Sequence, residues 1–490
     1  MKPSKYQQRI YDWVVAGSGN AIIQAVAGSG KTTTIIEATK LIPTNKSSIF
    51  VAFNKAIATE LSERLPKHIQ SRTLHSLGLS MFYNNTNTRP DLKFDKLQTI
   101  IEQVLQDNNV DVDNYNVFIP FLKKIIPLIK ATLTNHKSFE ELDILTSRFN
   151  IDMEADDFLM TLIDDTINKC KKIVEIIDFD DMIWIPIINN FKCKTYDYVF
   201  VDESQDLNQV QFELIKKICN GNTRIIAVGD RQQSIYAFRG ADTLSMDKFK
   251  DYFKAQEFPL SICYRCPKKV VELAQDIVPG IEAFENNGDG VVDNITFDNA
   301  IMKGQDGDLV LCRTNAPLVP MAFGFIRAGK KAIIRGRDIG KNLLKIVDKY
   351  TVTNLNDLIE KIIKFKDLQE EKIMLIEQGK YDKRKKYSLV ANIDSCDTIM
   401  FIAEEVDTVQ NLKYKIEEIF TDEKVGIVCS SVHKAKGLEA NTVFILNYDM
   451  MPHPMAKTEQ EIEQEMNIKY VAITRPKNEL FIITDGVEEK

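Results

Sequence analysis

Apolar runs of four or five residues recur along two stretches of the chain, each followed by a segment with helical spacing of its apolar positions. Ser48-Ile-Phe-Val-Ala52, Tyr198-Val-Phe-Val201, Arg224-Ile-Ile-Ala-Val228, Asp308-Leu-Val-Leu-Cys312 and Thr442-Val-Phe-Ile-Leu446 read as buried strands. Strands alternating with helices predict an α/β fold with parallel sheets, here as two units. The first unit is predicted from residues 1–84 and 177–258, the second from 259–336 and 424–490. Two stretches break the rhythm. Residues 85–176 and 337–423 are rich in Lys, Glu, Ile and Leu at helical spacing, and each is expected to be a mainly helical insertion in its unit. No internal repeat and no long low-complexity tract interrupts this plan.

Composition narrows the class. The chain has 490 residues, 44% apolar and 27% charged, which is enough for several cores in a soluble globular protein. No apolar stretch reaches membrane-spanning length, and Met1-Lys-Pro-Ser-Lys-Tyr-Gln-Gln8 lacks the apolar core of a signal peptide. The eight cysteines are scattered, as in a reducing compartment, so a cytoplasmic location is expected. Cys263 and Cys266 form a C-x-x-C without a second pair and read as reduced thiols. A net charge of −7 excludes a wholly basic nucleic-acid coat but leaves room for a local basic groove. The basic run Lys380-Tyr-Asp-Lys-Arg-Lys-Lys386 reads as a solvated loop, with a duplex-phosphate contact as the alternative.

Chemistry concentrates first at Ala25-Val-Ala-Gly-Ser-Gly-Lys-Thr32, between the apolar run Ala21-Ile-Ile23 and a β-branched, helix-like stretch. Strand, glycine loop and helix make a phosphate-binding loop. Backbone N–H groups around Ala27, Gly28, Ser29 and Gly30 and the helix N-terminus at Thr33 face phosphate oxygens. Lys31 reaches the terminal phosphates and the Thr32 hydroxyl ligates Mg²⁺. Ala25 stands where the strict pattern has Gly. The second half of such a site needs two acids. Tyr198-Val-Phe-Val-Asp-Glu203 ends a strand in Asp202, a candidate for holding Mg²⁺, and Glu203, a candidate for activating the lytic water.

The full string Asp202-Glu-Ser-Gln-Asp206 resembles the D-E-x-Q-D motif of the UvrD/Rep/PcrA-like helicases of superfamily 1. Gly229-Asp-Arg-Gln-Gln-Ser-Ile-Tyr-Ala-Phe-Arg-Gly-Ala241 resembles their long third motif, Tyr264-Arg265 the fourth, Val432-His-Lys-Ala-Lys-Gly-Leu-Glu439 the fifth and Tyr470-Val-Ala-Ile-Thr-Arg475 the sixth. Ala52-Phe-Asn-Lys-Ala56 and Thr73-Leu-His-Ser76 resemble motifs between the phosphate loop and the first insertion. The form Phe53-Asn-Lys-Ala56 with Gln232-Gln233 is also similar to the motor of the F-box DNA helicase branch and of viral relatives. All occur in the family's order and cover both α/β units.

The resemblance implies two RecA-like P-loop domains, ATP and Mg²⁺ as nucleotide and metal, and single-stranded DNA and its junctions with duplex as partner. It implies unwinding of duplex DNA with 3′→5′ translocation, in replication, repair or recombination. Single-strand-binding or replication and recombination proteins are possible further partners. Gln7, with Gln8 as the neighbouring register, is similar to the adenine-reading glutamine. Tyr264 is implied to stack on the base, Arg265 and Arg475 to act as arginine fingers, Gln233 to sense the γ-phosphate, and Glu439 to lie near ribose and phosphates. Arg239 matches a motif arginine whose partner the sequence does not identify. Phe53, Asn54, Lys55, Thr73, His75, Ser76, Tyr236, Phe238 and His433 are implied DNA contacts, with Phe238 where the family often has Trp. The insertion 337–423 is shorter than in the large bacterial members.

Two other readings compete. A single-strand translocase that mainly displaces bound proteins would use the same motor. A nucleotide switch without a motor would lack the hydrolytic residues, and Glu203, Gln233, Arg265 and Arg475 are all present.

Overall fold

The computed structural model describes residues 2–86, 89–149, 151, 157–235, 244–381, 386–423 and 425–485. The chain divides into two compact units: Met1–Ala25 with Gly30–Leu260, and Val26–Ser29 with Ser261–Lys490.

The strands of the first unit are β1 (Ala21–Ala25), β2 (Ser48–Ala52), β3 (Ile69–Thr73), β4 (Asp91–Leu92), β5 (Ile176–Ile177), β6 (Tyr198–Val201), β7 (Arg224–Gly229) and β8 (Gln256–Leu260). One sheet runs β3-β2-β6-β7-β1-β8, with every neighbouring pair parallel. The short strands β4 and β5 pair with each other, apart from it. Period-2 alternation explains why the strands read as continuous apolar runs. Ile22, Ile49, Val51, Val199, Val201, Ile225 and Ala227 enter one buried cluster. Their neighbours Ile23, Phe50, Phe200, Ile226 and Val228 enter another. With both faces covered, the central strands β2, β6 and β7 are buried along their whole length, whereas the outer strands β3 and β8 keep polar, partly exposed positions.

The first of these clusters is shared with helices Lys96–Asp107, Tyr115–Thr132, Phe139–Arg148 and Asp157–Lys172, through Ile100, Val104, Leu122, Ile125, Leu145 and Ile163. A buried ionic centre ties the first two of these helices to helix Asp181–Ile188. Lys96 Nζ donates to Asp181 Oδ2 at 2.5 Å, and Lys130 Nζ donates to Asp181 Oδ1 at 2.8 Å. Arg224, at the start of β7, closes helix Lys5–Ala16. Its guanidinium donates to the carbonyls of Trp13, Val14, Ser18 and Gly19 at 2.9–3.2 Å. These carbonyls lie at and just beyond a helix C-terminus, where intrahelical donors run out, and Val14 also accepts the capping N–H of Gly17.

The second unit contains β9 (Ile262–Cys263), β10 (Glu282–Ala283), β11 (Val291–Ile295), β12 (Leu309–Cys312), β13 (Ala332–Arg335), β14 (Phe420–Thr421), β15 (Ile427–Ser431), β16 (Ala440–Ile445) and β17 (Pro476–Ile483). Its main sheet runs β11-β17-β16-β12-β15-β13-β14, again parallel throughout. Val310, Phe323, Ile334, Cys429, Phe444 and Phe481 form its core with Leu358, Ile362, Ile399, Ile402 and Ile416. The latter come from helices Leu355–Glu377, Lys386–Ala403 and Val409–Ile419, which with Arg337–Asp348 occupy the segment expected to be helical. That segment ends as a strand: β14 pairs with β13 at the sheet edge. Two strand boundaries also shift. The strand expected at 442–446 runs Ala440–Ile445, and β8 runs on past residue 258 to Leu260. No helix among the described residues is long and apolar enough to cross a membrane.

Candidate functional site

Parallel strands send the residues that follow them to one edge of the sheet, where ligands of open α/β folds gather. The glycine loop follows β1, Asp202 and Glu203 follow β6, and Asp230 follows β7. Gly28 and Gly30 have φ of 67° and 73°, the left-handed region that the loop's turns require and that glycine adopts without strain. Helix Lys31–Thr39 starts immediately after Gly30, so its unpaired N–H groups open onto the loop. Ser29 Oγ, inside the loop, is buried with no hydrogen-bond partner among the described residues, which suits a phosphate oxygen.

Lys31 Nζ pairs with Glu203 Oε2 at 3.1 Å. Burial works against the lysine's charge, but Glu203, Asp230 and Asp202 outweigh it and hold its pKa above the ordinary value. Asp202 is 4% exposed, and burial beside the Glu203 carboxylate raises its pKa against the pull of Lys31. Thr32 Oγ1 donates to Asp202 Oδ2 at 3.4 Å. This hydroxyl and carboxylate are hard oxygens of the kind Mg²⁺ takes, and a dication there would relieve the crowded carboxylates, so the residues fit the metal. Glu203 sits at φ 50°, outside the ordinary range for a side-chain-bearing residue, which costs about 1–3 kcal/mol.

Gln233 Nε2 donates to Asp230 Oδ2 at 2.7 Å. Burial pushes the Asp230 carboxyl up to about 6. Gln7 Nε2 donates to Thr34 Oγ1 at 3.0 Å on the loop helix. Gln8 instead donates to Asp12 on the exposed side of its own helix. Gln7, unlike Gln8, thus lies against the loop helix. Thr33 is exposed in the first turn of the loop helix.

Phe53, Asn54 and Lys55 leave β2, and Thr73 and His75 leave the neighbouring strand β3, whose register pairs Ala52 with Thr73. Phe53 is 43% exposed. Asn54 caps helix Lys55–Arg64 by accepting from the Ile57 N–H. At the start of the next helix Ser76 donates its N–H to Thr73 Oγ1 and its hydroxyl to the Thr73 carbonyl. Burial pushes the His75 imidazole down to about 4, so it is a neutral ring at physiological pH. It stacks on Phe179 at 3.8 Å between centroids. Phe179 is half exposed and borders a cleft of about 350 Å³ with Phe94, Gln98, Lys123 and Asp180. Tyr236, Phe238 and Arg239, with their neighbours 237 and 240–243, lie outside the described residues, as do residues 382–385 of the basic run.

In the second unit, Arg265 Nε donates to Glu439 Oε2 and Lys477 Nζ to Glu439 Oε1, both at 2.7 Å. Burial pushes Glu439 up, but Lys477 and Arg265 outweigh it and hold the carboxylate below its usual range. Arg475 is 1% exposed. Its guanidinium donates to the Val471 carbonyl at 2.8 Å, to the Leu438 carbonyl at 3.3 Å and to Thr474 Oγ1 at 3.2 Å. The Tyr264 ring packs on Phe284 at 4.9 Å, and its N–H donates to the Gly28 carbonyl at 2.9 Å. The Ala27 N–H donates to the Tyr470 hydroxyl at 2.9 Å. His433 lies on the short helix Val432–Ala435 after β15.

The structure thus gathers Lys31, Thr32, Asp202, Glu203 and Gln233 in one place, and Arg265, Glu439 and Arg475 in another. Sequence reasoning passed over Asp230, Gln205, Thr34 and Phe179. Asp230 and Gln205 stood inside quoted motifs, and only their buried contacts single them out.

Comparison with known proteins agrees with this arrangement. The model of the UvrD/REP helicase N-terminal domain matches residues 7–254, and that of the UvrD-like helicase C-terminal domain matches residues 426–483. The ATP-dependent DNA helicase Rep of Buchnera aphidicola is 25% identical over 95% of this chain and 91% of its own length. A probable DNA helicase II homolog of Mycoplasma genitalium is 24% identical over 96% of this chain and 83% of its own. The ATP-dependent DNA helicase PcrA of Staphylococcus aureus is 22% identical over 95% and 81%. With its loop, strand-end acids and two parallel sheets in the order these matches require, the chain belongs to the UvrD/REP helicase family.

Proposed function

We propose that the protein is an ATP-dependent DNA helicase that translocates 3′→5′ on single-stranded DNA and opens duplex in replication, repair or recombination. The observation that carries this reading is the cluster of Lys31, Asp202, Glu203 and Gln233 at the edge of one parallel sheet, in a chain related to named DNA helicases. In this reading the loop residues Ala27–Thr33 hold the triphosphate, Gln7 and Tyr264 hold the base, and Glu439 lies near the ribose. Thr32 and Asp202 would hold Mg²⁺, which when bound neutralises charge on the phosphates. Glu203 takes the proton of the attacking water, and Arg265 and Arg475 stabilise charge on the γ-phosphate. Phe53, Asn54, Lys55, Thr73, His75 and His433 would meet the DNA, and Phe179 joins them as an exposed ring suited to stacking on a base. Residues 1–84 with 177–258, and 259–336 with 424–490, would be the motor domains, carrying insertions 85–176 and 337–423.

The test is steady-state ATP hydrolysis with and without single-stranded DNA. A strong rise on adding DNA is expected, abolished in Lys31→Ala. Equal rates with and without DNA would refute coupling to the strand.

A further inference from the structure

Gln205 has no role in the reading above, yet its side chain joins the segments that follow β6 and β7. It is 2% exposed. Its Nε2 donates to Glu203 Oε2 at 2.5 Å and to Asp206 Oδ2 at 3.4 Å. Its Oε1 accepts the Asp230 backbone N–H at 3.0 Å. The amide orientation follows from its partners, since a backbone N–H only donates and a carboxylate only accepts. Glu203 Oε2 is also the oxygen paired with Lys31. One oxygen of the carboxylate is therefore held between a cation and an amide, which sets the plane of the group and the direction of its other oxygen.

The backbone makes room for this amide. A Cβ on Gly229 would come within 2.5 Å of Gln205 Oε1, 2.7 Å of Ser204 Oγ and 2.9 Å of Met246 Sδ. Beyond Gly229, Asp230 accepts from Gln233. Glu203, Gln205, Asp230 and Gln233 thus form one connected run from the end of β6 to the residues after β7.

We infer that Gln205 is a positioning residue for ATP hydrolysis, fixing the carboxylate of Glu203 and tying it to the Asp230–Gln233 segment. The inference rests on Glu203 being the base. A reacting group held in one rotamer by its neighbours avoids reorganisation at the moment of reaction, and loosening it lowers turnover more than binding.

The experiment measures kcat and KM of DNA-stimulated ATP hydrolysis, fluorescent-ATP affinity and thermal unfolding. The variants are Gln205→Leu, Gln205→Glu, Gly229→Ala, Glu203→Gln and the double variant Gln205→Leu/Glu203→Gln. Leu keeps the bulk and loses both polar ends, whereas Glu keeps an acceptor for Asp230 and loses the donor to Glu203. Gly229→Ala displaces the amide without removing it. Gln205→Leu and Gln205→Glu are each expected to lower kcat about 10- to 100-fold, with KM within about threefold. Gly229→Ala should follow them, and it carries the comparison if Gln205→Leu unfolds at lower temperature. On the Glu203→Gln background the Leu substitution should add less than about twofold, because residues acting as a unit are not additive. Wild-type kcat in Gln205→Leu and Gly229→Ala, recovery in Gln205→Glu, or the full loss repeated on the Glu203→Gln background would each overturn the positioning role. Full activity in Glu203→Gln would instead overturn the base assignment, and the inference with it.

Discussion

Glu203 combines a backbone strain with a carboxylate held by Lys31 and Gln205. Strained φ values persist where surrounding contacts over-determine them, and here those contacts hold the carboxylate proposed as the base. Glu203→Gln keeps the shape and removes the basic oxygen. It is expected to lower kcat by about 10²–10⁴ while ATP still binds, read by steady-state hydrolysis beside fluorescent-ATP titration. Hydrolysis within a few-fold of wild type would remove Glu203 from the base role. At this scale the residues adjacent in sequence were legible: the loop from its glycines, the acids from their place at a strand end. Partners far apart in sequence were not. Phe179 gives no signal of its own, and its contact with His75 exists only because folding brings the ends of separate elements together.

The elements were legible where packing agrees with local pattern. Apolar runs buried on both faces announced the strands, and helical spacing announced the helices within residues 85–176 and 337–423. Boundaries were less so, because Phe420–Thr421 extends a sheet only when β13 is present to pair with it. Buried ion pairs were invisible for a related reason. Nothing in the sequence sets Lys96, Lys130 and Asp181 apart from the other charges of these segments, yet they meet inside the first unit with Lys130 and Asp181 almost fully buried. Removing one partner of such a centre costs more than the pair contributes, because the others stay behind unpaired. Asp181→Ala leaves two buried ammonium groups with one carboxylate, Asp178 at 3.4 Å from Lys130, and the Cys170 and Ile173 carbonyls on Lys96. It is expected to destabilise the first unit by about 3–5 kcal/mol, seen as a lower midpoint in chemical denaturation. Replacing Lys96, Lys130 and Asp181 together by apolar residues should recover much of the loss. A midpoint unchanged in Asp181→Ala would mean that water or another acid serves the two lysines.

Direction of travel belongs to the whole molecule, since no single residue distinguishes the two ends of a strand. A motor moves one way only if its contacts meet the sugar–phosphate backbone with a fixed polarity. The first unit offers such an asymmetry: Phe53–Lys55 and Thr73–His75 leave adjacent parallel strands side by side and in the same sense. The proposed 3′→5′ direction predicts that a duplex with a 3′ single-stranded tail is unwound and one with a 5′ tail of equal length is not. The measurement is strand displacement on both substrates in parallel, with an unlabelled trap strand and Glu203→Gln as control. The tails must bind equally well, because the protein's net charge of −7 leaves its affinity to local cations and stacking surfaces that salt and base composition both modulate. Matched affinity with displacement from the 3′ tail alone assigns the asymmetry to movement rather than to loading. Displacement from the 5′ tail alone would reverse the proposed direction while leaving the hydrolytic site intact. Equal displacement from both tails would mean that the contacts on the strand carry no polarity, and would separate this chain's motor from the direction its family resemblance implies.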